Sequence, residues 1–182
     1  NTHFLWFGGS GLIHKGLDLL LDYFYKNPNL TLHICGPIES EPLFIQAYKK
    51  ELFQTKNIIM HGFVDIRGQV FEEIIKKCAF VVFPSCSEGG AASVLNAVAN
   101  GGLIPIITKQ TAVFTGYEIW IRSLDMEGVS RAIKEALTLS DDEITSLQYK
   151  NYNYVKSNNS QENYYSLLRC NIKQILNNEN TI

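Results

Sequence analysis

Cysteine is scarce in this chain, and its placement excludes more than it offers. Cys35, Cys78, Cys86 and Cys170 are the only four. They lack metal-type spacing and sit mostly in apolar runs, so zinc is not expected and they read as reduced packing thiols of an intracellular protein. No hydrophobic run approaches the roughly 20 residues that a membrane-crossing helix needs, and no charged-then-apolar leader opens the chain; the piece is expected to be soluble. Basic charge is not in excess either. Lys and Arg number 16 against 18 Asp and Glu, a formal charge of −2, and the lysines are scattered rather than gathered into the patch or stripe of a nucleic-acid surface. No nucleic-acid partner is expected. Internal repeats, low-complexity linkers and charge blocks are missing, as is the carboxylate clustering that an Mg²⁺ clamp would want. What remains, at 182 residues with 46% hydrophobic and 19% charged, is the composition of one globular domain with one core.

Short apolar runs alternate with helical patterns along the first two thirds of the chain. Phe4 to Gly8, Leu30 to Gly36, Ile58 to Gly62, Ala79 to Phe83 and Leu103 to Ile107 read as buried strands. Between them, Leu17, Leu20, Leu21 and Phe24 share a helix face, a second helix is expected from Ser40 with Pro42 just inside it, and Phe71, Ile74, Ile75 and Cys78 mark a third face. Nearly continuous apolar strands alternating with helices indicate an α/β, Rossmann-like, doubly wound parallel sheet covered on both sides. After about residue 123 the pattern becomes helical only. Val129, Ala132, Ile133 and Ala136 form one face, Ser140 and Glu143 form a capping box, and Tyr165, Leu168, Ile172 and Ile175 form a last packing face. The terminal NNENTI is expected to fray. The chain enters a strand almost at once, which leads to the expectation that the natural protein extends upstream.

Open parallel sheets bind ligands beyond the carboxyl ends of their strands, where the strand order reverses. Two loops there carry chemistry. After the first strand, Gly8, Gly9, Ser10 and Gly11 leave room for a ligand against backbone, and Lys15 adds a cation before the next helix. The loop lacks the Gly-Lys-Ser/Thr of a Walker A motif and the third glycine of a dinucleotide fingerprint, so a tight turn with a solvated lysine stays open as an alternative. After the fourth strand, Pro84-Ser85 leads to Glu88 and to Gly89-Gly90, which opens a helix with Ala91, Val94, Leu95 and Val98 on one face. The amides of a helix N-terminus suit an anion such as phosphate. Glu88 would repel a phosphate but accepts hydrogen bonds from hydroxyls, so the pair suggests a ligand with phosphate and polyol parts.

Taken together, FLWFGGSGLIHKGLDLLLDYF, LTLHICG, IIMHGFV and FVVFPSCSEGGAASVLNAVANGGLIPII resemble, in order and spacing, the C-terminal, donor-binding domain of retaining GT-B glycosyltransferases of the family 4 type. The resemblance covers about residues 4 to 175. It implies a nucleoside diphosphate sugar, UDP- or GDP-linked, held in the cleft between two Rossmann-like domains. Lys15 matches the family lysine on the diphosphate; the family arginine falls on Gly9, so backbone amides of Gly9, Ser10 and Gly11 would compensate. Glu88 matches the first glutamate of the family pair, on the donor sugar hydroxyls. The second, which binds ribose, falls on Asn96, an amide that still bonds a diol; the two are eight positions apart, roughly 12 Å along a helix. Phe63, in His61-Gly62-Phe63-Val64, matches the segment that packs on the nucleobase. Bland alternatives stand beside each: a capping carboxylate for Glu88, a helix-surface amide for Asn96, a core ring for Phe63, and locally satisfied side chains for His14 and His61.

The implied reaction is sugar transfer with retention, in which Lys15, the glycine loop and the helix after Gly89, Gly90 and Ala91 neutralise charge on the departing diphosphate. No cofactor and no metal are expected. The acceptor, a glycan or lipid-linked precursor of cell-surface polysaccharide, would meet an N-terminal domain absent from this chain, at the cytoplasmic side of the membrane and with peripheral association. The isolated domain is expected to bind nucleotide without turning over. Two rivals remain: a degenerate interaction domain without catalysis, and a phosphorylase or epimerase of the same architecture.

Overall fold

Each of the five apolar runs becomes a strand, with bounds within one residue of those expected at either end: β1 His3–Phe7, β2 Thr31–Cys35, β3 Ile58–Gly62, β4 Phe80–Phe83 and β5 Ile104–Ile107. In the computed structural model, which describes residues 2–179 with side chains to residue 176, they form one parallel sheet in the order β3-β2-β1-β4-β5, extended by β6, Ile119–Trp120. The sixth strand was not expected. At two residues it is too short to show an alternation, and it exists because its backbone pairs with Ile106 and Ile107.

The helices are α1 Leu17–Lys26, α2 Pro42–Ala47, α3 Lys49–Gln54, α4 Gln69–Lys77, α5 Ala92–Gly101, α6 Met126–Leu137, α7 Asp141–Asn158 and α8 Gln161–Glu179. α1, α3 and α6 cover one face of the sheet, and α4, α5 and α7 the other. The stripes expected on α1, α4 and α6 turn inward. α1 buries Leu17, Leu20, Leu21 and Phe24, and α4 buries Phe71, Ile74 and Ile75, each such side chain contributing roughly 1.5–3 kcal/mol of transfer free energy. Phe4 links the layers, its ring 5.4 Å from that of Phe24 and 5.2 Å from that of Phe80. α7 starts on the expected capping box, with Ser140 and Glu143 satisfying each other's amides.

Three expectations are corrected. The second helix does not begin at Ser40: a 3₁₀ turn at Ile38–Ser40 precedes Glu41, and Pro42 opens α2, because its fixed φ and missing N–H suit a first helical position. Of the cysteines, Cys35 and Cys78 are buried, whereas Cys86 and Cys170 are exposed; Cys86 belongs to a polar loop, not to an apolar run. The α8 face expected to pack is open, with Tyr165, Leu168, Ile172 and Ile175 all exposed. Of the NNENTI end expected to fray, 177–179 still belong to α8, and 180–182 lie outside the described residues.

Candidate functional site

The strand order reverses between β1 and β4, and the loops after these strands are stitched together there. Gly16, at the end of the glycine loop, takes φ +65°, and a Cβ on it would overlap the Pro84 carbonyl oxygen; only glycine lets the two loops approach this closely. The Cys86 amide donates to the His14 carbonyl at 3.0 Å. Trp6, fully buried in β1, donates its indole N–H to the Lys15 carbonyl at 3.2 Å. The Lys15 amide in turn donates to the Gly11 carbonyl at 2.9 Å, so both polar groups of its backbone are held.

Its ammonium meets Glu88. Lys15 Nζ lies 2.8 Å from Glu88 Oε1, with the side chains 17% and 18% exposed, so the pair is shielded yet reachable from solvent. The Ser85 hydroxyl donates to the same carboxylate oxygen at 3.1 Å. Glu88 is held in turn by its amide, which donates to the Gln110 carbonyl, and the Ala91 amide donates to the Thr111 carbonyl. The two groups singled out on opposite loops, 73 positions apart, therefore share one spot on the rim.

Beside them lies a cavity of about 260 Å³ whose walls include Gly8, Gly9, Gly36, Phe63, Ser93 and Asn96. It is roofed by the ends of β1, β2 and β3 and by the first turns of α5. Phe63 is 82% exposed, so it is not a core ring. Asn96, half-buried on α5, lines the same cavity. The glycine loop is less open than expected. Gly11 donates its amide to Glu41 Oε1 at 2.6 Å, and Leu12 does the same at 3.1 Å, so of the three amides assigned to a phosphate, Gly11 is already satisfied by an internal carboxylate. Gly9 and Ser10 are exposed. The glycines Gly89 and Gly90 precede α5 rather than opening it: α5 begins at Ala92 with Ala91 at its cap, and the Ala91 amide is committed to Thr111. The amides free to meet an anion are those of the first helical turn beyond it.

The histidines have local partners, as the cautious reading had it. His33 Nδ1 is 3.0 Å from His61 Nε2 and its Nε2 is 2.9 Å from His3 Nδ1, a ladder of stacked rings across β1, β2 and β3. Burial, and then the Lys77 ammonium, hold His61 below the ordinary imidazole range, so it is neutral at pH 7 and is not a cation for phosphate. His14 is engaged by Ser87 and Cys86. Sequence reasoning missed Ser85, Ser93 and Glu41; nothing local marks Glu41, whose partners lie some 30 positions away. Among the described residues no group of three or more His, Cys, Asp or Glu is arranged to hold a metal, and no helix is long and apolar enough to cross a membrane.

The fold is widely shared. A structure of HepE from Anabaena in complex with UDP and glucose superposes with a TM-score of 0.70 at 14% identity, over 86% of this chain and 44% of that one. The catalytic domain of starch synthase IV from Arabidopsis thaliana, bound to ADP and acarbose, gives 0.68 at 14% identity, over 92% and 38%. The C-terminal domain of the glycosyl transferase group 1 family protein LpcC from Francisella tularensis gives 0.66 at 16% identity, over 87% and 86%. This chain spans less than half of the longer proteins and nearly all of the isolated C-terminal domain. No curated protein matches it by sequence. Residues 2–156, most of the chain, match the family Glycosyl transferases group 1, and the chain belongs to that family.

Proposed function

We propose that this chain is the donor-binding half of a retaining, family 4 type glycosyltransferase that moves a sugar from a UDP- or GDP-linked donor to a glycan or lipid-linked acceptor in cell-surface polysaccharide synthesis. The observation that carries this reading is the meeting of Lys15 and Glu88 at 2.8 Å, with the Lys15 side chain next to Gly8, a residue that lines the cavity of Phe63 and Asn96. In this reading Lys15 serves the diphosphate, Glu88 the sugar hydroxyls, Phe63 the base and Asn96 the ribose diol.

In this reading Lys15 exchanges its internal partner for the ligand. The incoming diphosphate takes the ammonium, and Glu88, still held by Ser85, turns to the sugar hydroxyls. As the bond to the anomeric carbon breaks, charge grows on the departing phosphate, and Lys15 with the first-turn amides of α5 stabilises it; removing one such donor costs about 100- to 1000-fold in rate in comparable sites. Transfer proceeds without a metal, and its rate is unchanged by a chelator; abolition by chelator with rescue by Mn²⁺ refutes this. The acceptor is supplied through an N-terminal domain at the cytoplasmic face of the membrane, and the present chain alone binds donor without transferring it. HepE, seen with UDP and glucose, and starch synthase IV, seen with ADP, support the ligand class.

Calorimetric titration with UDP, GDP and ADP sugars tests the reading. Binding that Lys15→Ala weakens supports it; no response at millimolar ligand from either protein sinks it. The replacement of the expected arginine and second glutamate by Gly9 and Asn96 favours one rival, a domain that binds nucleotide sugar without catalysis, which transfer by the full-length protein excludes.

A further inference from the structure

We propose that Cys86 is a thiol activated by His14, and that its capture by a low-molecular-weight disulfide closes the donor site to nucleotide sugar. The second half rests on the reading of the donor site given above; the first does not.

The geometry is that of a nucleophile, a base and a group that orients the base. Cys86 Sγ lies 3.2 Å from His14 Nδ1, and His14 Nε2 lies 2.5 Å from the Ser87 carbonyl oxygen. A carbonyl only accepts, so the ring proton resides on Nε2 and the lone pair of Nδ1 faces the sulfur. The thiol is therefore the donor in that contact, with its proton already directed at a base. Both side chains are exposed, so a small reagent reaches the sulfur. The arrangement is also rigid: the Cys86 amide donates to the His14 carbonyl, and the Ser85 hydroxyl approaches the same oxygen. Cys35 and Cys78 offer no such chemistry, because burial pushes both thiols up to about 12 and no reagent reaches them.

The step balances. His14 Nδ1 takes the thiol proton, the sulfur attacks one sulfur of the disulfide, the S–S bond breaks, and the leaving thiolate recovers the proton from Nδ1. Cys86 is oxidised to a mixed disulfide and the reagent releases one equivalent of thiol, so excess small thiol reverses the reaction. The consequence for the site follows from adjacency. Cys86 and Ser85 share the loop that carries Glu88, His14 precedes Lys15, and Ser85 bonds Glu88; in this proposal a group added to the sulfur takes the place of the Cys86–His14 contact and crowds the donor beside it.

The test uses the Cys170→Ser chain, in which Cys86 is the remaining exposed thiol among the described residues, and dithiobis-nitrobenzoate as the disulfide. At pH 7 this chain releases one equivalent of nitrothiobenzoate quickly. His14→Gln slows the release by about 100-fold or more, the lower end of what a positioned base contributes, and Cys86→Ser abolishes the fast phase, with thermal melts confirming that each variant is folded. UDP affinity, measured by calorimetry, falls by at least about tenfold in the mixed disulfide and returns after dithiothreitol. An unchanged rate in His14→Gln overturns the activation, and a modified chain that binds UDP as the free thiol does overturns the control. UDP that binds neither form condemns the donor reading and the control together, while the rate comparison still decides the role of His14.

Discussion

Gly9 stands where the resemblance calls for an arginine, and the structure has room for one. A Cβ built at Gly9 meets no atom within 4 Å, and the residue is not among the glycines with positive φ, so the first side-chain atom of Gly9→Arg meets no overlap and the backbone no strain. Replacing an exposed glycine at a compatible conformation should itself stabilise the fold by about 0.4–1 kcal/mol through the unfolded chain. The gain in binding is larger. Gly9 lines the cavity that holds Phe63 and Asn96 and adjoins Gly8, whose α-carbon faces the Lys15 side chain, so a guanidinium there reaches the same diphosphate. Charge-assisted hydrogen bonds contribute roughly 1.5–3 kcal/mol, which corresponds to about a 10- to 150-fold lower Kd. Calorimetric titration of UDP into wild type, Gly9→Arg and Gly9→Ala separates the two effects, because alanine restricts the unfolded chain without adding a cation. The arginine gain should shrink at high salt, as ion pairing at an accessible rim does. If Gly9→Arg folds and binds UDP no more tightly than Gly9→Ala, the glycine loop does not face a diphosphate and the assignment of this rim is wrong.

Further outcomes follow from the same contacts. Glu41→Ala strips the acceptor from the Gly11 and Leu12 amides and should cost about 2 kcal/mol in urea unfolding; a loss below about 0.5 kcal/mol would mean that water replaces the carboxylate. Gly16→Ala, forced into a left-handed φ and against the Pro84 carbonyl, should destabilise by at least about 2 kcal/mol, whereas Gly89→Ala, with nothing within 4 Å, should be nearly neutral; equal melting temperatures for the two would contradict the loop packing. Burial, then the neighbouring His61, His3 and Lys77, lower the His33 pKa from 6.5 to about 4. The unfolded chain therefore takes up a proton between these values that the folded chain refuses. Stability should be full above pH 6.5 and decline toward pH 4 by at most about 3 kcal/mol, with His61 acting in the same direction. His33→Gln should flatten that decline, and an unchanged pH profile of unfolding would remove the imidazole ladder as its source.

Local pattern by itself determined the strands β1 to β5, the inward stripes of α1, α4 and α6, and the Ser140–Glu143 box, because each depends on residues within a turn or two of one another. It also marked Lys15 and Glu88, since a cation after a glycine loop and a carboxylate before a glycine pair lie at strand ends whatever the wider packing. Tertiary structure decided the rest. β6 exists only through pairing with β5; Glu41 finds its amides some 30 positions away; and Cys86 meets His14 across 72. α8 has a helical stripe that no partner within the described residues covers, so periodicity announced a face and could not say whether anything packs on it. A side chain's neighbours in sequence set its local conformation, but the partner that meets its polar atoms is chosen by how loops close over the sheet, and that choice is made by the packing of Gly16 against Pro84 and of Trp6 beneath Lys15.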